Sequence, residues 1–162
     1  MTLKEKQSLD SLVIQKLKKK SLKISVAESC TGGALASEIT KTPGASSYFK
    51  GSIVCYSKSS KVNILKISSD LIESEGLVSE KVAREMAINS NILFKTDLAL
   101  SITGNAGPTG GDLIKEIGIV FIGIAKLFDV KVFKFCFSGD REGIIKKAVN
   151  ESFLILYKEL NK

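Results

Sequence analysis

The tightest constraint on the fold is the way the chain changes character between residues 22 and 39. Leu22 to Ala27 alternates apolar and polar side chains and then stays apolar, the signature of a strand entering a core, whereas Ala34 to Ile39 resumes a helical spacing. Between them lies Glu28-Ser29-Cys30-Thr31-Gly32-Gly33, whose paired glycines interrupt both patterns. A strand handing over to a helix through such a turn places Ser29 at the junction.

The same alternation continues along the chain. Leu3 to Lys19 predicts an amphipathic helix with Leu9, Leu12, Val13 and Leu17 on its apolar face, and Thr42-Pro43-Gly44-Ala45-Ser46 predicts a loop. Phe49 to Tyr56 is rich in strand formers, and Ser57 to Leu65 reads as a helix capped by serine. Ser79 caps a second helix that runs to about Phe94, with Val82, Met86 and Leu93 on one face, and Asp97 to Thr103 follows as an apolar strand. Gly118 to Ala125 and Val130 to Phe137 form a hairpin turning near Phe128-Asp129. A last helix, about Glu142 to Leu160, buries Ile144, Ile145, Ala148, Phe153 and Leu156. Helices before, between and after the strands predict an α/β fold, with helices on both faces of a mainly parallel sheet that carries an antiparallel element.

Length and composition limit what this fold can do. At 162 residues and 44% hydrophobic content the chain suits one domain spanning 1–162. No apolar run approaches the roughly 20 residues that span a bilayer, and Met1 to Lys20 lacks a signal-peptide core, so a cytoplasmic protein is expected. Cys30, Cys55 and Cys136 are odd in number and without metal-ligand spacing, which predicts reduced, mostly buried thiols. The net charge of +7 raises nucleic acid as a partner, yet Arg84 and Arg141 are the only arginines among 24 basic residues. Base-edge readers lean on arginine, and no aromatic-and-basic interleaving suited to base stacking is present, so solvated lysine faces are preferred over nucleic-acid contact.

The chain has no histidine. That excludes a Ser-His-Asp triad, a Cys-His pair and histidine metal sites. A nucleophilic Ser29 therefore needs another base, and lysine can serve when its free amine is accessible at working pH. If the strand ending at Tyr56 adjoins the one ending at Ala27, both turns open at one sheet edge, where doubly wound sheets bind ligands. Lys61 then reaches Ser29, with Tyr56 relaying or orienting the proton. Amides of Cys30 to Gly33 can line an oxyanion hole. Each residue also has a structural reading: Ser29 as a helix N-cap, Cys30 as a small packing residue, Lys61 as a surface lysine and Tyr56 as a strand aromatic.

The segment Thr103-Gly104-Asn105-Ala106-Gly107-Pro108-Thr109-Gly110-Gly111 is too rich in glycine for a regular element and lacks the Gly-Lys-Ser/Thr ending of a P-loop. Its backbone amides can approach a phosphate closely. Asp140-Arg141 reads either as a capping Asp followed by an exposed Arg, or as an anion ligand at a helix N-terminus.

Ala-Glu-Ser-Cys-Thr-Gly-Gly at 27–33, Tyr-Ser-x-x-x-Lys at 56–61, Gly-Leu-Val-Ser at 76–79, Gly-x-Ala-Gly-Pro-x-Gly-Gly at 104–111 and Ser-Gly-Asp-Arg at 138–141 together resemble the CinA C-terminal domain family, the nicotinamide-nucleotide amidohydrolases. The resemblance covers nearly the whole chain in order. It implies a three-layer α/β/α sandwich with a mixed, mostly parallel sheet, a homodimer, and hydrolysis of the carboxamide of nicotinamide mononucleotide to nicotinic acid mononucleotide and ammonia. It assigns Ser29 as nucleophile with Tyr56 and Lys61 as catalytic partners. The substrate region it implies comprises Cys30, Thr31, Gly32 and Gly33, then Thr103, Gly104, Asn105, Ala106, Gly107, Gly110 and Gly111, and Arg141 for the phosphate. No cofactor, metal or membrane partner is expected.

The chain departs from the family pattern at Asn105, Thr109, Glu116, Ile145 and Lys146. The larger N-terminal domain of full-length members, and its activity, are not expected here. A second reading is a non-catalytic nucleotide-binding or competence-associated module.

Overall fold

A computed structural model describes residues 8–110 and 116–162. Five strands form one sheet: β1 (Ile24–Glu28), β2 (Phe49–Val54), β3 (Leu98–Gly104), β4 (Ile119–Lys126) and β5 (Asp129–Cys136), in the order β2-β1-β3-β4-β5. β1 pairs parallel with both β2 and β3, while β4 runs antiparallel to β3 and β5. Four strands thus point one way and β4 alone opposes them, which is the mixed sheet expected.

Helices cover both faces. α1 (Leu9–Lys19), α2 (Ala34–Thr40) and α6 (Arg141–Glu159) pack against one face in a cluster that includes Val13, Leu17, Leu35, Val26, Leu100, Ile122, Ala148 and Leu156. On the other face lie α4 (Ser69–Glu75), α5 (Glu80–Phe94) and the chain following α3 (Lys58–Asn63), joined through Ala27, Leu65, Ile67, Ile72, Val82 and Met86. α5 approaches the sheet closely because small residues meet there: Ser101 Oγ donates to Ala83 O at 2.6 Å and Ser25 Oγ to Ser90 O at 3.2 Å. Arg84 on α5 donates to Val130 O at 3.0 Å. Among the described residues no helix is long and apolar enough to cross a membrane.

Several boundaries differ from the sequence reading. β1 starts at Ile24, β2 ends at Val54 and α3 is shorter than Ser57 to Leu65. The part of the first helix expected over residues 3–7 lies outside the described residues. A single 3₁₀ turn, Ala45–Ser47, sits beside the expected Pro-Gly loop. α4 was not anticipated, and Leu93, in phase with buried Val82 and Met86, is half exposed near the end of α5. Ile145 is only partly buried.

Strand register is what assembles the site. Glu28 lies beside Val54 on β2 and beside Ile102 on β3, so the three parallel strands end almost in a row. The residues that follow them, Ser29, Cys55 to Lys61 and Thr103 to Gly110, therefore emerge at one edge. β5 points the same way, and α6 starts there with Arg141.

Candidate active site

Ser29 directly follows β1 and is still held by the sheet, its amide donating to Ile102 O at 2.9 Å, while Cys55 N donates to Glu28 O at 2.8 Å. Beyond β2 the chain turns into α3 through a capping box: Ser60 N donates to Ser57 Oγ and Ser57 N to Ser60 Oγ, both at 3.1 Å. This turn points Lys61 inward. Lys61 is 1% exposed, and its Nζ lies 2.9 Å from Ser29 Oγ and 2.6 Å from Cys55 O. Lys61 Nζ donates to both oxygens, so the amine and the serine hydroxyl are in direct contact. The direct contact removes the need for a relay between Ser29 and Lys61.

Ser29 is not the cap of α2. That position belongs to Gly33, whose φ of 101° is open to glycine at little cost. The capping acceptor comes instead from the strand: the fully buried Glu28 carboxylate accepts from Gly33 N at 3.2 Å, Leu35 N at 3.0 Å and Ala36 N at 2.9 Å. Strand alternation sends the Glu28 and Ser29 side chains to opposite faces, so one residue anchors the helix while the next faces the cavity. The expected row of free amides is correspondingly shorter. Of the four, Gly32 N donates to Ser29 O at 3.0 Å and Gly33 N is taken by Glu28, which leaves the Cys30 and Thr31 amides, Cys30 N being next to the nucleophile in the chain.

Burial pushes the Cys30 thiol up to about 12, against smaller lowering influences from its own backbone amide, Lys61 and Arg141. At neutral pH it stays protonated, which separates it from Ser29 as a nucleophile.

A cavity of about 260 Å³ opens at this edge. It is lined by Ser29, Cys30, Tyr56, Lys61, Thr103, Gly104, Asn105, Ala106, Gly107 and Arg141, as the sequence anticipated, and by Leu77, Val78 and Thr109, which were not among the expected site residues. Thr31, Gly32, Gly33 and Gly110 lie outside this lining, and Gly111 falls outside the described residues. Thr31 is buried with its Oγ1 making no hydrogen bond among the described residues. At Gly104 a Cβ would meet Val120 Cγ2 at 2.7 Å and Ile119 O at 2.8 Å, so glycine lets β3 pass close to β4 before the loop begins. Gly107 N donates to Asn105 Oδ1 at 3.1 Å, which folds the loop back on itself.

Arg141 closes the rim. Asp140 caps α6 by accepting from Gly143 N at 2.9 Å, and the Arg141 guanidinium donates to Gly107 O at 2.7 Å and to Tyr56 Oη at 2.8 Å. The capping Asp followed by an exposed Arg is therefore what the structure shows, and that Arg also lines the cavity. The Tyr56 phenol, 58% exposed, is engaged by Arg141, where the sequence placed it between Ser29 and Lys61. No cluster of three or more His, Cys, Asp or Glu able to hold a metal occurs among the described residues.

The family model of the CinA C-terminal domain matches residues 6–160. The chain belongs to the CinA C-terminal domain family. It is 46% identical over 158 residues to a CinA-like protein of Flavobacterium psychrophilum, covering 98% of this chain and 38% of that protein. It thus spans under two-fifths of the length of this curated relative. The solved competence damage-inducible protein A of Klebsiella pneumoniae superposes with a TM-score of 0.92 at 28% identity, covering 94% of this chain and 95% of the other. A competence/damage inducible protein of Agrobacterium tumefaciens gives a TM-score of 0.89 at 28% identity with 100% of both chains covered. The CinA fold thus extends over essentially every element described above.

Proposed function

We propose that this CinA-family chain is an amidohydrolase that converts nicotinamide mononucleotide to nicotinic acid mononucleotide and ammonia. The observation that carries the reading is the 2.9 Å approach of buried Lys61 Nζ to Ser29 Oγ inside a cavity rimmed by Arg141. The Ser29 oxygen attacks the carboxamide carbon as its proton passes to Lys61, and the carbonyl oxygen becomes an oxyanion facing the Cys30 amide. Collapse breaks the C–N bond, the departing nitrogen takes the proton from Lys61, and ammonia leaves a Ser29 ester. Water, deprotonated by Lys61, then attacks the ester carbon, and the acid departs as Ser29 recovers its proton. Arg141 supplies a fixed cation for the phosphate, with Tyr56 holding it in place.

The assay is ammonia release from nicotinamide mononucleotide by wild type and Ser29→Ala, beside calorimetric binding of the nucleotide. The proposal expects turnover by wild type and binding without turnover by the variant. Equal rates, or no turnover in either, sink it. Binding without turnover in both supports the alternative, a nucleotide-binding module, which the competence-damage names of the relatives make worth testing. The same reading takes the protein as a cytoplasmic homodimer with no nucleic-acid partner; sedimentation equilibrium checks the dimer.

A further inference from the structure

The Gly-Leu-Val-Ser motif at 76–79 has no part in the chemistry above, yet its two central residues line the cavity. Its neighbours hold it from both sides. Gly76 ends α4 with φ 84°, Ser79 caps α5 by accepting from Val82 N at 3.2 Å, and Ser79 Oγ donates to Gly76 O, also at 3.2 Å. Leu77 O accepts from Thr103 Oγ1 at 2.9 Å, which ties the segment to the end of β3. Val78, 8% exposed, packs in a cluster with Ala83, Ile119 and Phe121, while Leu77 packs on the cluster that holds Leu65, Ile72 and Met86. Leu77 and Val78 are thus rooted in two different parts of the core and present a fixed apolar surface.

The rest of the lining is of another kind. Ser29, Lys61, Thr103, Asn105 and Arg141 contribute polar groups, and among the described lining residues no aspartate or glutamate is present. An apolar wall beside the nucleophile, with a cation at the rim and no carboxylate, matches a carboxamide carried on a flat ring with an anionic tail. The pyridinium charge of such a ring is spread over its face and can lie on an apolar wall, whereas the compact ammonium of an amino-acid amide would enter a cavity with no acidic partner on its described walls.

We infer that Leu77 and Val78 determine specificity by contacting the face of the ring that bears the scissile carboxamide. This rests on the amidohydrolase reading for the identity of the ring. Val78→Thr keeps the shape of the side chain and adds a hydroxyl to the wall, and Leu77→Ala shortens the wall without adding a polar group.

The test compares two anionic probes by calorimetry, nicotinic acid mononucleotide, which has the ring, and ribose 5-phosphate, which lacks it. Each variant is first checked for native circular dichroism, and kcat and KM for nicotinamide mononucleotide are measured alongside. Val78→Thr and Leu77→Ala are expected to weaken the ring-bearing probe about 5- to 20-fold and to leave ribose 5-phosphate within about 2-fold, the scale of one lost apolar contact. Arg141→Ala serves as the contrast and weakens both probes. If both wall variants leave the ring-bearing probe unchanged, or weaken the two probes equally, or if wild type binds neither, the inference is overturned. A wild type that binds the ring-bearing probe through this wall but releases no ammonia supports the wall and rejects the amidohydrolase reading, so the two fail separately.

Discussion

Glu28→Gln tests whether the strand end anchors the helix that follows the nucleophile. Glu28 Oε2 accepts from Gly33 N and Leu35 N, and Oε1 from Ala36 N. Glutamine offers one oxygen and one NH2 group, so with its oxygen at the two-bond position its nitrogen faces the Ala36 amide and leaves that donor unpaired. An unsatisfied buried donor costs about 1–3 kcal/mol. Taking about 2 kcal/mol, and about 2–4 °C per kcal/mol for a chain of this size, Tm falls by about 4–8 °C. Glu28→Ala leaves three amides without this acceptor, so its loss is larger. Urea and thermal melts followed by circular dichroism read both variants. A Glu28→Gln protein whose Tm stays within about 1 °C of wild type would show that the three hydrogen bonds of this carboxylate do not anchor α2.

Cys30, Gly104 and Tyr56 yield further expected outcomes. Cys30, held well above its ordinary 9.0 by burial, should react with iodoacetamide more slowly than a free cysteine at neutral pH, and Cys30→Ala should retain turnover. Because this folded-state pKa is raised, its contribution to stability is complete below 9.0 and declines as pH rises from there toward about 12, which urea titrations of wild type and Cys30→Ala across that window will show as a difference in slope. Gly104→Ala should cost about 1–3 kcal/mol in a denaturant melt, since its Cβ would press on Val120 and on the Ile119 carbonyl. Tyr56→Phe removes the phenol that holds Arg141 while changing an exposed side chain, so stability should stay within about 0.5 kcal/mol while KM for nicotinamide mononucleotide rises several-fold. A fall confined to kcat would instead restore Tyr56 to the proton path.

Much of this was legible in the sequence because period and punctuation agreed. The segments read as strands at 22–27, 49–56 and 97–103 each meet a serine or glycine within two residues, which marked where strands end, and parallel pairing then brought Ser29, Lys61 and the glycine loop to one edge. Other features left no such mark. α4 has seven residues with only Leu71 and Ile72 apolar, too few to show a helical period. Glu28 was visible beside Ser29, but caps are usually sought at the residue preceding the helix, and here a side chain five residues before Gly33 takes that role. Leu77 and Val78 look like ordinary core residues in a sequence; the bond from Thr103 Oγ1 to Leu77 O is what ties them to the end of β3 beside the cavity. The bond between Tyr56 and Arg141 joins positions 85 residues apart, a distance over which spacing carries no information.

If Ser29 and Lys61 act as one unit, a double-mutant cycle on ammonia release from nicotinamide mononucleotide will show it. Ser29→Ala and Lys61→Met should each lower kcat by at least about 1000-fold with native circular dichroism, and the double variant should be little worse than either, because residues that act together lose their effect together. A Lys61→Met protein within about 10-fold of wild type, or a double variant whose losses multiply, would contradict the account.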